Sequence, residues 1–314
     1  MSASIATAVR PSWHELPYPL RDGLAARLGA VVSARVQTGG FTPGFAVRLR
    51  LATGESVFAK GIGVDHVLAT KYRAEAAVAR ALPSQAPAPQ LRWDGEIANW
   101  VVLIFDDVNG WHADLSPGSP DVGRVVTAVA ELEDALTPCP VLDAPSAAEE
   151  LAGLVHGWRE LAADLPADLD DWSRRHVHDL AGLETTWLAA VDGDTLLHGD
   201  INRSNLLIDR DQAVWLIDWA QPVRGAAWID VVDLVPHLIL AGHTPTAAED
   251  ALSAAPAWRG TDAEVITSYA AAFAGYWART SRQEPPPGVP HLRAHQARAA
   301  QAAIRWTAYR TGWS

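Results

Sequence analysis

Alternation of hydrophobic and polar residues dominates the first third of the chain. Between Phe45 and Leu51, for example, Val47 and Leu49 share a face with both end residues, as they do in a half-buried strand. Such alternation, bounded by turn residues, predicts strands at 31–37, 45–51, 56–60, 91–97 and 100–105. A helical period predicts helices at 19–28 and 66–82. We therefore expect a five-stranded antiparallel sheet with one main internal helix.

Helical periodicity replaces this alternation in the rest of the chain. The predicted helices cover residues 121–136, 147–163, 170–191, 229–241, 247–254, 263–278 and 293–310. One β interruption is predicted, in which strands at 195–197 and 205–208 flank a polar loop and 213–217 pairs back. The pattern predicts an α+β fold with an N-terminal lobe (1–105), a hinge and connector rich in Asp, Asn, Gly and Pro (106–120), and a mostly helical C-terminal lobe (121–314).

Composition narrows the class of protein. The 314 residues are 49% hydrophobic and 20% charged, which is typical of a globular protein. A net charge of −12 argues against a general nucleic-acid binder, which needs basic surface to displace counterions. The single cysteine, Cys139, excludes an intramolecular disulfide and a cysteine zinc site. Since Met1 to Arg10 lacks a signal-peptide pattern and no apolar run could span a membrane, we expect a soluble cytoplasmic protein without membrane contact.

Asp200, Asn205 and Asp218 form the strongest candidate constellation. Asp200 and Asn205 lie five residues apart in the polar run HGDINRSN, and Asp218 follows Asn205 by thirteen residues, after an apolar run. Phosphoryl transfer to a hydroxyl needs a carboxylate that orients the nucleophile and accepts its proton. The polyphosphate needs Mg²⁺, which prefers carboxylate and amide oxygens. The spacing therefore predicts a kinase-type arrangement, with Asp200 as the base and the other two residues as magnesium ligands.

The N-terminal region supplies a second candidate group. Lys60 ends a predicted strand, and Glu75 lies fifteen residues later in the following helix. A strand lysine in this position can reach nucleotide phosphates, and a helix glutamate can hold it there. A surface ion pair is the alternative interpretation of these two residues. Upstream, Gly39, Gly40 and Gly44 lie in a turn, where glycine lets backbone N–H groups approach phosphate closely.

These motifs resemble those of the aminoglycoside phosphotransferase family, which contains kinases of antibiotics and other small molecules. The glycine of the HGD run is characteristic of this family, and the IDW run at 217–219 and the GAAWID run at 225–230 are similar to its later motifs. The resemblance implies a two-lobed, protein-kinase-like fold. In that fold the N-terminal lobe binds the nucleotide, and the C-terminal lobe carries the catalytic loop and the acceptor site.

The resemblance also implies roles for individual residues. His198 and Asp230 are implied structural supports, the first packing under the metal-binding aspartate and the second bracing the catalytic loop. The glycine-rich segment covers the phosphates, the strand lysine binds the α- and β-phosphates, and the hinge backbone contacts the purine behind a bulky gate residue. The implied nucleotide-binding residues are Gly39, Gly40, Phe41, Gly44, Lys60, Glu75, Phe105, Asp106 and Val108.

The expected activity is transfer of the γ-phosphoryl group of ATP or GTP to a hydroxyl of a small molecule, with Mg²⁺ as cofactor. An antibiotic is the favoured acceptor, because the alanine-rich, lysine-poor composition resembles proteins of high-GC actinobacteria, which make antibiotics and protect themselves from them. A metabolic kinase of choline, homoserine or a sugar and a nucleotide-binding pseudokinase are the alternatives. The sequence leaves open the acceptor, its binding residues, the choice between ATP and GTP, and whether the protein is a monomer or a homodimer.

Overall fold

The computed structural model describes residues 8–314 and divides the chain into two units, neither of which is continuous in sequence. The first unit contains the chain up to His112 together with Ser204–Gln221 and Pro285–His291. The second unit contains Ala113–Arg203, Pro222–Glu284 and Leu292–Ser314. The prediction about a signal peptide falls mostly on residues outside the described part of the chain.

The first unit is built on a five-stranded antiparallel sheet, as predicted. Its strands are β1 (Val31–Val36), β2 (Phe45–Leu51), β3 (Ser56–Gly63), β4 (Leu91–Ile97) and β5 (Trp100–Asp106), in the order β1-β2-β3-β5-β4. The β2–β3 hairpin turns at Gly54, whose φ of 90° lies in the left-handed region that favours glycine. Because β3 lies between β2 and β5, its residues pair on both sides and are mostly buried.

Helices cover both faces of this sheet. Helix α1 (Tyr18–Leu28) buries Leu20 and Leu24 in a core with alternate residues of β2, β3 and β5. Helix α2 (Ala69–Ala81) packs on the opposite face. It begins three residues later than predicted, because the chain first makes a turn in which the backbone N–H of Leu68 donates to the His66 ring, 3.1 Å away.

Five short strands follow in the rest of the chain. They are β6 (Gly110–His112), β7 (Thr195–Leu197), β8 (Leu206–Asp209), β9 (Val214–Leu216) and β10 (Val223–Gly225). In the first unit β8 pairs with β6 and β9, and in the second unit β7 pairs with β10. Strand β6 lies inside the predicted connector and was not predicted. A side chain at Gly110 would overlap the Ile208 carbonyl on β8, so only glycine permits this pairing.

The second unit is mostly helical, as predicted. Several of its helices are preceded by a polar residue whose side chain accepts a hydrogen bond from a backbone N–H of the first turn. These residues are Ser119, Asp170, Thr244 and Asp262. Its helices are α3 (Pro120–Leu136), α4 (Ala147–Glu150), α5 (Gly157–Ala163), α6 (Asp171–Leu183), α7 (Trp228–Leu240), α8 (Pro245–Leu252), α9 (Pro256–Gly260), α10 (Ala263–Thr280) and α11 (Leu292–Thr311).

Two predicted helices are interrupted. The predicted helix at 147–163 consists of α4, a 3-10 segment and α5, and the predicted helix at 170–191 ends with α6 and continues as a 3-10 turn. Tertiary contacts accompany the first of these breaks. The buried carboxylate of Glu184, just after α6, accepts the backbone N–H groups of Trp158 (2.8 Å) and Arg159 (3.1 Å) and so caps the start of α5. Helix α5 then packs closely on α10, where a side chain at Gly157 would overlap the Gly275 backbone.

Among the helices of residues 8–314, none combines the length and the apolar character needed to cross a bilayer.

Candidate active site

A cavity of about 480 Å³ lies in the first unit and gathers most of the predicted site residues. Its wall is formed by the segment between β1 and β2, by β3, by α2, by the chain after β5 and by the β8–β9 hairpin. Phe41 and Gly44 belong to the glycine-rich segment but lie outside the wall. The predicted residues in the wall are Gly39, Gly40, Lys60, Glu75, Phe105, Asp106, Val108, Asn205 and Asp218.

Lys60 is the centre of a buried ion group. The two-residue period of β3 places it on the face that carries α2, and its Nζ atom lies 2.9 Å from Oε1 and 2.7 Å from Oε2 of Glu75. The same atom lies 2.5 Å from Oδ1 of Asp218 and 5.2 Å from the centre of the Tyr72 ring. A surface ion pair is therefore the wrong interpretation, because both Lys60 and Glu75 are buried.

Burial and charge shift the protonation of this group in different ways. Burial by itself lowers the pKa of Lys60, but the carboxylates of Asp218 and Glu75 outweigh it and raise the pKa above its usual range. Burial raises the pKa of Glu75 to about 7, against the opposing effect of the lysine. Lys60 therefore stays charged at neutral pH, while Glu75 is close to its titration midpoint.

Asn205 and Asp218 face each other across the open end of the β8–β9 hairpin. The backbone N–H of Ile217 donates to the Asn205 carbonyl at 3.0 Å, directly beside the Leu206–Leu216 pair. The spacing of thirteen residues in the sequence is thus the length of one hairpin. Asp218 has a φ of 69°, an uncommon conformation that aspartate tolerates better than most residues.

These two side chains fit a magnesium site of the kind that uses few protein ligands. An amide oxygen and a carboxylate are the hard donors that Mg²⁺ prefers, and the ion commonly takes its other ligands from phosphates and water. Within residues 8–314, no cluster of three or more His, Cys, Asp and Glu side chains could hold a metal by itself. A metal held by these two side chains would take its remaining ligands from phosphate oxygens or water.

The glycine-rich segment is held in place by its neighbours. The Tyr72 hydroxyl donates to the Pro43 carbonyl at 3.2 Å. Gly44 has a φ of 105°, and a side chain there would overlap the Gly61 carbonyl of β3. Arg10 donates to backbone carbonyls at both ends of the segment. Glycine at position 44 is therefore required by both conformation and close contact.

The chain after β5 forms another part of the cavity wall, and hydrogen bonds to neighbouring segments hold its backbone. Phe105 is buried in the wall, and the Asp106 N–H donates to the Gln90 carbonyl at 2.9 Å. The Val108 carbonyl accepts from the Gly110 N–H at 2.9 Å and also from the guanidinium of Arg48. That guanidinium also contacts the Asp107 carboxylate at 2.5 Å. Strand β2 thus fixes the conformation of this segment through one arginine.

The loop after β7 lies in the second unit and is braced by a buried carboxylate. Asp230, near the start of α7, accepts the backbone N–H groups of His198 (2.7 Å) and Gly199 (3.0 Å). Gly199 has a φ of 71°, which turns the chain sharply before Asp200. The Asn202 amide donates to Oδ1 of Asp200 at 2.8 Å and orients its carboxylate.

A second buried carboxyl lies one helical turn from this brace. Burial raises the pKa of Asp230 to about 6, although its two backbone donors act in the opposite direction. Burial also raises the pKa of Asp233 well above its usual range, and the Tyr269 hydroxyl donates to its Oδ1 at 2.7 Å. The negative charges of Asp230 and Asp200 add smaller contributions to the raised pKa of Asp233.

Three residues of the first unit were missed by the sequence analysis. Tyr72 lies three residues before Glu75 on the same face of α2, so its position could have been inferred from helical periodicity. Arg48 and Arg10 contact backbone carbonyls that are distant in sequence, and no local sequence pattern predicts such contacts. The three predicted residues in the second unit, His198, Asp200 and Asp230, lie together in and around one loop.

Known proteins resemble this chain in sequence pattern and in fold. The model of the phosphotransferase enzyme family, APH, matches residues 62–280. A search of curated protein sequences returned no significant match. Among solved structures, the aminoglycoside phosphotransferase of Alicyclobacillus acidocaldarius aligns with a TM-score of 0.62 at 14% identity, over 90% of this chain and 92% of that one. The choline kinase LicA of Streptococcus pneumoniae aligns with a TM-score of 0.61 at 14% identity, over 92% and 97%.

A third similar structure contains a nucleotide and an antibiotic. It is the aminoglycoside phosphotransferase APH(3'')-Id of Streptomyces rimosus in complex with ADP and streptomycin, with a TM-score of 0.51 at 19% identity, over 81% of this chain and 95% of that one. At these identities the structural similarities concern the fold. They confirm the predicted protein-kinase-like α+β fold, and the family match confirms the resemblance inferred from the motifs.

Proposed function

The chain belongs to the APH phosphotransferase enzyme family, and from this premise we propose that it transfers the γ-phosphoryl group of ATP or GTP to a hydroxyl of a small molecule. The observation that carries the proposal is the ion group formed by the buried Lys60 and Glu75 with the partly exposed Asp218, in a cavity of about 480 Å³. A lysine held by a helix glutamate beside an aspartate is the arrangement that kinases use to bind nucleotide phosphates.

The cavity supports a nucleotide-binding role in several ways. Lys60 supplies a positive charge for the phosphates, and the segment containing Gly39 and Gly40 supplies backbone N–H groups. Phe105 and the backbone of Asp106 and Val108 form the part of the wall that we assign to the purine. The bulky Phe105 is the reason for keeping GTP beside ATP as a candidate donor.

Asn205 and Asp218 are assigned to Mg²⁺. When bound, the ion would neutralise charge on the phosphates and thereby favour transfer. The two residues offer one amide oxygen and one carboxylate from the two ends of the same hairpin. Lys60 is only 2.5 Å from the Asp218 carboxylate, so it holds this side chain in position.

Asp200 is assigned as the base that acts on the acceptor. Its carboxylate takes the proton of the acceptor hydroxyl while the hydroxyl oxygen attacks the γ-phosphorus. The bond between the γ-phosphorus and the bridging oxygen breaks, and the nucleoside diphosphate leaves with the electron pair. Asn202 orients the carboxylate of Asp200, and Asp230 holds the preceding backbone.

An antibiotic is the acceptor we favour. The streptomycin complex of the Streptomyces rimosus protein shows that this fold accommodates such an acceptor in that enzyme. The second candidate is a metabolic small molecule such as choline, and it is favoured by the structural match to a choline kinase, which covers 92% of this chain against 81% for the streptomycin complex. A resistance role follows if the acceptor is an antibiotic, so the acceptor experiment tests it. We also propose that the protein is cytoplasmic and that it is a monomer or a homodimer.

The test is an acceptor screen with purified protein. Hydroxyl-bearing antibiotics, choline, homoserine and sugars are each incubated with ATP or GTP and Mg²⁺, and mass spectrometry records the gain of one phosphoryl group. The variant Asp200→Asn should phosphorylate the true acceptor about 10² to 10⁴ times more slowly, because the base is removed. An unchanged rate in that variant would show that another residue acts as the base. Efficient phosphorylation of choline or a sugar, with no antibiotic modified, would replace the first candidate by the second.

A further inference from the structure

Arg10 lies in the wall of the nucleotide cavity although it precedes every predicted motif and the part of the chain matched by the family model. Its Nη1 atom donates to the Gln37 carbonyl at 2.8 Å. Its Nε and Nη2 atoms donate to the Thr42 carbonyl at 3.3 and 3.2 Å. The guanidinium therefore joins the two ends of the glycine-rich segment from inside the cavity.

The position of Arg10 relative to the other charges is the second observation. A Cβ atom placed on Gly40 would lie 3.2 Å from Nη2, so the guanidinium is directly beside the middle of the glycine-rich segment. Arg10 lines the same cavity as Asp218 and Tyr72, and both residues act electrostatically to raise its pKa. Burial lowers the pKa of Arg10, but a guanidinium remains charged at any physiological pH.

The positive charge of Arg10 is partly buried, and the groups around it compensate that charge only in part. An arginine has five N–H donors, and within the described part of the chain three of them are used by two backbone carbonyls. Carbonyls carry no full negative charge, and the Asp218 carboxylate is already paired with Lys60. Bidentate recognition of phosphate oxygens is the interaction for which a guanidinium fork is best suited.

We propose that Arg10 is a second phosphate-binding cation, which contacts the β- and γ-phosphates of the bound nucleotide while it holds the glycine-rich segment over them. The proposal rests on the proposed nucleotide-dependent function and adds a residue that the family motifs do not contain. Lys60 and Arg10 then both bind the polyphosphate, one from β3 and one from the chain that precedes α1. The N-terminal segment thereby becomes part of the nucleotide site.

The experiment compares AMP, ADP and ATP by isothermal titration calorimetry with the unmodified chain and the variants Arg10→Gln, Arg10→Lys and Arg73→Gln. We expect Arg10→Gln to weaken ADP and ATP binding by about tenfold and to leave AMP binding within about twofold, since AMP lacks the contacted phosphates. Arg10→Lys should recover part of the loss. Arg73, an exposed residue paired with Glu96, serves as the control for loss of a positive charge, and its variant should bind all three nucleotides normally.

Other outcomes separate a structural role from phosphate binding. If Arg10→Gln weakens AMP, ADP and ATP by the same factor, or lowers the thermal unfolding temperature without any effect on binding, Arg10 only supports the segment and the proposal is overturned. If the unmodified chain binds ADP tightly and Arg10→Gln binds it equally well, the proposal fails while the proposed function stands. If the unmodified chain binds none of the three nucleotides, the proposed function itself fails and takes the proposal with it.

Discussion

Replacement of Glu75 by glutamine is expected to make folding stability depend less on pH. The Glu75 side chain is only 3% exposed, and both of its oxygens lie within 2.9 Å of the Lys60 ammonium. Glutamine keeps the size of the side chain and one acceptor oxygen but cannot ionise. The substitution therefore removes the titration of this position with little change in packing.

The magnitude follows from the shift in pKa. The pKa of Glu75 rises from 4.5 to about 7 on folding, and each unit corresponds to about 1.4 kcal/mol. A carboxyl whose pKa is raised by folding contributes stability that is fully present below its unfolded pKa and is lost as pH rises through its folded pKa. The wild-type protein should therefore lose a total of about 3 kcal/mol from this residue as pH rises through that window.

Urea denaturation at about pH 5 and about pH 8 measures the effect. The stability of Glu75→Gln relative to wild type should improve by about 2 to 3 kcal/mol between the two pH values, because most of the window lies between them. Glu96→Gln removes an exposed carboxylate from the same unit and controls for the change in net charge. If the difference between Glu75→Gln and wild type is the same at both pH values, Glu75 does not titrate in this range and the reasoning from its burial is refuted.

Two further predictions concern the proposed magnesium ligand Asp218 and the buried carboxyl of Asp233. In wild type Mg²⁺ should tighten ADP binding, and in Asp218→Asn calorimetry should show that this effect is reduced by at least about tenfold; an equal effect in both proteins would exclude Asp218 as a ligand. Tyr269→Phe should lower the free energy of unfolding by about 1 to 3 kcal/mol, because it leaves the buried Asp233 without its donor. Asp233→Asn should cost less than Tyr269→Phe in urea denaturation, since it mimics the protonated carboxyl that burial favours; a larger cost would indicate a charged Asp233.

The main sheet was predictable because its signal is local. Alternation along each strand and the turn at Gly54 reflect burial of one face, and neighbouring strands in sequence mostly pair with each other. Strand β6 was not predictable in the same way. It has only three residues in a polar segment, and its pairing depends on β8, which lies about a hundred residues away and carries the carbonyl that excludes a side chain at Gly110.

The helix breaks show a second limit of local reasoning. Residues 147–163 have helical periodicity throughout, but the close approach of Gly157 to Gly275 and the capping of α5 by Glu184 interrupt the helix. Both contacts join residues far apart in sequence. A periodic pattern predicts that such a segment is helical but not where tertiary contacts divide it.

The residues of the candidate site also differ in how far the sequence predicts them. The positions of Lys60, Asn205 and Asp218 in one cavity follow from motif spacing combined with strand and hairpin geometry. The participation of Arg10 and Arg48 depends on side chains that reach backbone carbonyls of other segments. Every residue has a backbone carbonyl, so a sequence pattern cannot show which carbonyl an arginine will contact.

The discontinuity of the first unit has a consequence for the order in which the chain becomes functional during synthesis. Lys60 and Glu75 belong to the first hundred residues, whereas Asp218 is separated from Lys60 by 158 positions. A nascent chain that has folded only its N-terminal sheet holds the lysine–glutamate pair but lacks the hairpin carrying Asn205 and Asp218. Truncated products ending before this hairpin are therefore expected to keep the lysine of the proposed phosphate site and to lack both proposed magnesium ligands. On the proposed function, such products should not bind the nucleotide with magnesium as the whole chain does.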